Sequence, residues 1–202
     1  MKTTIIHSSQ PDAIPQALKV LKQGGLVAFP TDTVYGVGAN VFSAESIEKL
    51  FTAKGRDAAK AIPVLIGDPS QLAQVSSTPG ETALRLAMRF WPGPLTLVVA
   101  RHPSLPAILS PLPTVGVRMP DHAVALAILR QSGPLAVTSA NLSGGPNPSS
   151  AEDVLAQLDG RIDLVIDGGL CPGGLPSTVV DCTADDLRIL RQGPLTLQDL
   201  LA

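Results

Sequence analysis

Aromatic residues make up only 3% of this 202-residue chain, with one Trp, one Tyr and four Phe. Its core must therefore rest on Leu, Val, Ile and Ala. Cysteine is equally scarce: Cys171 and Cys182 have neither metal-ligand spacing nor the density of a disulfide scaffold. Three scattered histidines, His7, His102 and His122, offer no base for a Ser-His-Asp triad. Zinc signatures, paired glycosidase carboxylates, the G-x-S-x-G elbow and the P-loop are all missing. No apolar run approaches the roughly 20 residues that span a bilayer, and Lys2 is not followed by the apolar core of a signal peptide. Net basic charge is lacking too. The formal charge is −2 and the pI about 5.9, which disfavours a broad phosphate-backbone footprint. A reducing cytoplasm, with no membrane association, is the expected location.

What is present is a well-filled globule: 45% hydrophobic residues and a mean hydropathy of +0.27. Eighteen Gly and nineteen Pro fall mostly between the apolar runs, the composition of a loop-rich α/β protein. Helices are predicted over residues 11–23, from Ser43 to Lys54, from Pro79 to Trp91 with Leu84, Met88 and Trp91 on one face, after a capping Asp121, over 151–158 behind a Ser150/Asp153 capping box, and around 195–201. Strands are predicted at Leu26–Phe29, Ile62–Ile66, Leu95–Val99, Val115–Arg118, Leu135–Val137, Leu164–Ile166, Thr178–Val180 and Leu187–Leu190. There is no internal repeat and no linker long enough to divide the chain. One α/β domain over residues 1–202, with a mixed sheet, is the expectation.

Five polar segments adjoin those strands. Pro30-Thr-Asp-Thr-Val-Tyr-Gly36 follows the first apolar run, and the bland reading of it is a surface turn bonded to its own backbone. Lys54-Gly55-Arg56, with Lys60 beyond, places cations at a helix end, where they either complement the helix dipole or bind an anion. Arg118 ends an apolar strand, and Asp121 is its nearest carboxylate in sequence. Thr138-Ser-Ala-Asn141 and Gly173-Gly-Leu-Pro-Ser-Thr178 bring hydroxyls and an amide, and Arg191-Gln-Gly193 adds another cation. Such a set supplies hydroxyls and cations but no strong general base. Binding and aligning polyanions suits it, and phosphoryl or nucleotidyl transfer needs mainly positioning and charge neutralisation.

These segments, with Pro92-Gly-Pro-Leu-Thr96, Val117-Arg-Met-Pro120 and Ser177-Thr-Val-Val-Asp181, occur in the order that resembles the YrdC/Sua5 family. The resemblance implies one α/β domain with a twisted mixed sheet, flanking helices and a concave cavity. It implies an L-threonylcarbamoyladenylate synthase, which joins L-threonine, bicarbonate and ATP and releases pyrophosphate on the way to threonylcarbamoyl-adenosine in tRNA. ATP would be held by Lys54, Arg56, Lys60, Thr114, Ser139, Asn141, Asn147 and Arg191, with Lys54 and Arg56 catalytic and replaceable by alanine without unfolding. Threonine would meet Thr33, Arg118, the backbone around Val137, and Ser177. Mg²⁺ would bridge phosphates, with no dedicated protein ligands. Downstream tRNA threonylcarbamoyl-transferase proteins would be partners, with RNA contact confined to a local basic patch. Asp57 and Ala61 stand where the family often has proline, and the chain's end at residue 202 resembles the short form of the family. An RNA-binding module of the same fold, and a carbamoyl-transfer domain like that of hydrogenase-maturation proteins, are the rival readings.

Overall fold

The apolar run after Gly24-Gly25 is the keystone of the sheet. In the computed structural model, which describes all residues except Met1, Gly173 and Asp185, strand β2 (Val27–Phe29) is buried at every position. It pairs antiparallel with β3 (Gly36–Asn40) and parallel with β8 (Leu164–Asp167). Strand β8 in turn pairs parallel with β1 (Thr4–His7). The other strands are β4 (Val64–Leu65), β5 (Leu95–Ala100), β6 (Thr114–Arg118), β7 (Leu135–Ser139), β9 (Thr178–Asp181) and β10 (Arg188–Arg191). All ten join one mixed sheet in the order β1-β8-β2-β3-β7-β4-β6-β5-β9-β10.

Alternation along the strands divides the core in two. Val27, Phe29, Leu135, Val137, Leu164 and Ile166 pack under α1 (Ala13–Lys22) and α5 (Ala123–Ser132), through Ala13, Ala17, Leu21, Ala125, Ile128 and Leu129. Leu26, Ala28, Val37, Ala39 and Val165 face the other way, against α2 (Ala44–Lys54) and α6 (Ala151–Leu158). The helix boundaries follow local chemistry. Ser43 caps α2 by accepting from Ser46 N, and Gly55, at φ 57°, ends it in the left-handed region that glycine tolerates best. The Ser150/Asp153 capping box opens α6, and Thr196 with Asp199 opens α7 (Leu197–Leu201) the same way.

Three expectations need correction. After the short α3 (Leu72–Val75), the helix α4 (Glu81–Phe90) buries Ala83 and Leu86, while Leu84 and Met88 are exposed. Trp91 is already extended at the C-cap, and its indole donates to Leu95 O at 2.7 Å, so counting it as helical set the wrong phase. Asp121 does not cap α5; the N-cap is His122, whose side chain makes no capping bond. Two strands, β1 and β3, were not anticipated. The first buries only Ile6 among its four residues, and the second, Gly-Val-Gly-Ala-Asn, has poor intrinsic strand propensity. Its glycines are needed all the same: a Cβ on Gly36 would stand 2.7 Å from Val137 Cγ1. Among the described residues no helix is long and apolar enough to cross a membrane.

Candidate active site

Beyond β7 the sheet face is left open, and alternate strand residues line a cavity of about 580 Å³ instead of a helix. Thr96 and Val98 from β5, Thr114, Gly116 and Arg118 from β6, and Val179 and Asp181 from β9 point into it. The intervening Leu95, Leu97, Val99, Val115 and Val117 belong to the core on the opposite face. The rim adds Thr31 and Thr33 from the loop after β2, Arg56 after α2, Ser139 at the end of β7, Asn147 beyond it, and Ser177 and Arg191. The volume lies within the range of about 300–1,000 Å³ common for small-molecule sites. A larger open hollow of about 790 Å³ lies between α1, α2 and residues 161–163. It holds none of the motif residues.

Of the twelve positions singled out in the sequence, nine line the cavity: Thr33, Arg56, Thr114, Arg118, Val137, Ser139, Asn147, Ser177 and Arg191. Lys54, Lys60 and Asn141 do not. Lys54 is only 2% exposed; its amine donates to the backbone carbonyls of Ser139 and Asn141, with Asn141 Oδ1 at 3.5 Å. It therefore supports the wall from behind, and Ser143 N donates to its own carbonyl at 2.9 Å. Burial, reinforced by the Arg56 charge, lowers the Lys54 pKa to about 8. The Asn141 amide is turned to Leu142 O and Gly145 O. Lys60 is exposed on the turn after α2, where its carbonyl accepts from Arg56 Nε at 3.3 Å. Gly173, the first residue of the 173–178 segment, lies outside the described residues.

Arg118 is held on three sides. Its Nε donates to Gly93 O at 3.0 Å, Nη1 to Thr33 Oγ1 at 2.9 Å, and Nη2 to Asp32 Oδ1. Its partner is thus Asp32 and not Asp121, which contributes only its backbone N–H to the same carboxylate oxygen, at 3.1 Å. Burial lowers the pKa of Arg118, and Asp32 opposes that. Elsewhere on the lining, Ser177 Oγ lies 2.8 Å from Thr96 Oγ1. Arg191 donates to Ser177 O at 2.8 Å and to Ser177 Oγ at 3.2 Å. Burial lowers the pKa of Arg56 and of Arg191 as well. Asp32 and Thr96 are among the contributors to which the motifs assign no role. Both sit inside quoted motifs, and the period-2 position of Thr96 in β5 was the available signal.

An open concave sheet face, rimmed with hydroxyls and three arginines, defines an α/β domain fitted to a polar ligand of net negative charge. A family model described as "Telomere recombination", covering Sua5, YciO and YrdC proteins, matches residues 19–193. The chain belongs to this Sua5/YciO/YrdC family. It is similar to the threonylcarbamoyl-AMP synthase of Bacillus subtilis, with 44% identity over 96% of the chain and 57% of that protein. It is 40% identical to a putative threonylcarbamoyl-AMP synthase of Mycobacterium tuberculosis, over 92% of the chain and 86% of that protein. The crystal structure of Pyrococcus abyssi Sua5 complexed with L-threonine superimposes with a TM-score of 0.93 at 39% identity, covering 99% of this chain and 60% of that one. The chain thus spans a little over half the length of the Bacillus relative and of the Pyrococcus structure.

Proposed function

We propose that the protein is an L-threonylcarbamoyladenylate synthase, converting L-threonine, bicarbonate and ATP to threonylcarbamoyl-AMP and pyrophosphate. The observation that carries this reading is the meeting of two sets of residues in one cavity. Arg118, Thr33 and Ser177 form a wall suited to an amino acid, and Arg56, Ser139, Asn147, Thr114 and Arg191 form a wall suited to a nucleotide. The names of the relatives, and the threonine in the Pyrococcus structure, favour it over an RNA-binding module or a carbamoyl-transfer domain.

In this reading the guanidinium of Arg118 receives the threonine carboxylate, and the hydroxyls of Thr33 and Ser177 address its other polar groups. Each charge-assisted bond contributes roughly 1.5–3 kcal/mol. The threonine amine attacks the carbon of bicarbonate; water leaves, and a carbamate remains. A carbamate oxygen then attacks the α-phosphorus of ATP, and the bond to the bridging oxygen breaks as pyrophosphate departs. Arg56 and Arg191 neutralise the phosphates, while Ser139 and Asn147 orient them. Lys54 acts through the wall, holding the Ser139 and Asn141 backbone. Asp181 lies on the lining, and no group of three or more metal-ligating side chains occurs among the described residues. The Asp181 carboxylate would hold Mg²⁺ together with the substrate phosphates, and the ion would supply charge neutralisation when bound. Product would pass to the tRNA threonylcarbamoyl-transferase proteins.

Pyrophosphate release from ATP and Mg²⁺, with L-threonine and bicarbonate omitted in turn, tests the proposal. Release that requires both substrates is the expected result. Release without either, or none from a folded protein that binds ATP, overturns it.

A further inference from the structure

Asp32 forms a buried ion pair with Arg118, the two side chains being 13% and 7% exposed. An arginine left alone here would be an uncompensated cation and would favour any small anion. Bicarbonate, which the proposed reaction requires in solution, is one such anion. With Asp32 in contact, the charge of Arg118 is balanced before a ligand arrives. Three of the five N–H donors of Arg118 are engaged, by Gly93 O, Thr33 Oγ1 and Asp32, so two remain for a carboxylate.

The neighbouring hydroxyls add a direction. Thr31 Oγ1 donates its single hydrogen to Val34 O at 2.7 Å. Thr31 Oγ1 also accepts from Thr33 N at 3.1 Å and from Val34 N at 3.3 Å, so it donates nothing to Thr33 Oγ1, 3.0 Å away. Thr33 Oγ1 accepts from Arg118. One acceptor lone pair of Thr33 Oγ1 therefore stays available to a ligand. The subsite thus sets N–H donors beside an acceptor and a carboxylate, the arrangement that complements a zwitterion.

We propose that Asp32 is a positioning and specificity-determining residue, which neutralises Arg118 so that the subsite selects a zwitterionic amino acid over a simple carboxylate anion. The proposal rests on the reading of this wall as the threonine subsite and deepens it. Other charged and titratable groups nearby are Arg191, which acts on Arg118, and Asp121 and His122, which flank Asp32. Asp32→Asn leaves all of them in place and changes one charge.

The test compares the equilibrium binding of L-threonine and of 3-hydroxybutanoate, which is threonine without its amino group. The full chain, Asp32→Asn and Asp32→Glu are titrated with each by calorimetry. The unaltered protein is expected to prefer L-threonine by about tenfold or more, the factor set by removing one charge–charge interaction from a partly buried site. Asp32→Asn is expected to narrow that preference by about tenfold, with 3-hydroxybutanoate gaining relative to threonine. Asp32→Glu is expected to keep it. A purely structural role would weaken both ligands in parallel, and an unchanged ratio in folded Asp32→Asn overturns the inference while leaving the proposed function standing. Should Asp32→Asn fail to fold, the unaltered protein decides: equal affinity for the two ligands overturns the inference. No threonine binding by the unaltered protein overturns both the proposed function and the inference.

Discussion

Replacing Lys54 by methionine probes how the nucleotide wall is built. Methionine keeps an unbranched chain of similar length and removes the amine from the carbonyls of Ser139 and Asn141. The ammonium is buried with no carboxylate partner among the described residues, and its pKa falls from the ordinary 10.5 to about 8. Between those values the unfolded chain holds a proton that the folded chain has released. Unfolding then takes up protons, so stability rises with pH across this window. Below pH 8 both states are protonated, and the full cost of burying the charge, about 3 kcal/mol, is borne by the folded protein.

From pH 7 to pH 9 the linkage relation gives a gain of about 1 kcal/mol for the unaltered protein relative to Lys54→Met. The comparison is needed because Cys182 works the other way. Burial raises its thiol from 9.0 to about 12, so its contribution to stability is lost as pH rises above 9. A methionine side chain cannot titrate, and the difference between the two proteins isolates the lysine. Urea unfolding of both, at pH 7 and pH 9 and 25 °C, measures it. A difference that stays constant, within the few tenths of a kcal/mol at which independent changes add, would refute the picture of Lys54 as a desolvated amine behind the wall.

Arg56 should behave differently from Lys54, although the two share a motif. Its guanidinium lines the cavity and donates to Ala61 O at 2.9 Å, so Arg56→Ala is expected to lower kcat/KM for ATP by about tenfold or more. The melting temperature should fall by no more than about 4 °C; steady-state kinetics and a thermal melt on one preparation check both, and unchanged kinetics would remove Arg56 from the nucleotide wall. Gly193→Ala is expected to weaken L-threonine binding in calorimetry and to cost about 1–3 kcal/mol of stability, since the new Cβ would lie 2.3 Å from Thr178 N and 2.5 Å from Pro176 O. Normal threonine affinity in that variant would mean that the backbone at Ser177 is free to move without disturbing the subsite.

How much of this was legible depends on the range of the interaction. Caps and apolar runs are local: Ser43, Gly55 and the Ser150/Asp153 box act within one helical turn, and each lay where its residue types placed it. The strand faces were legible by alternation once a strand was recognised, and β3 escaped because its glycines serve Phe29 and Val137 rather than its own propensity. Pairings of distant residues left no pattern. Asp32 and Arg118 are 86 residues apart in sequence, while Asp121, three residues from Arg118, was the natural partner by distance along the chain. Lys54 shows the same limit from the other side. As the end of a helix beside a glycine and an arginine, it reads as a cation that complements the helix dipole or binds an anion. Only the crossing of the 139–143 backbone over the end of α2 buries it. A motif can therefore name the residues of a site while leaving open which of them face the ligand. Here that division follows from the sheet order, which sets β7 between β3 and β4 and carries the loop after β7 across the cation that α2 presents.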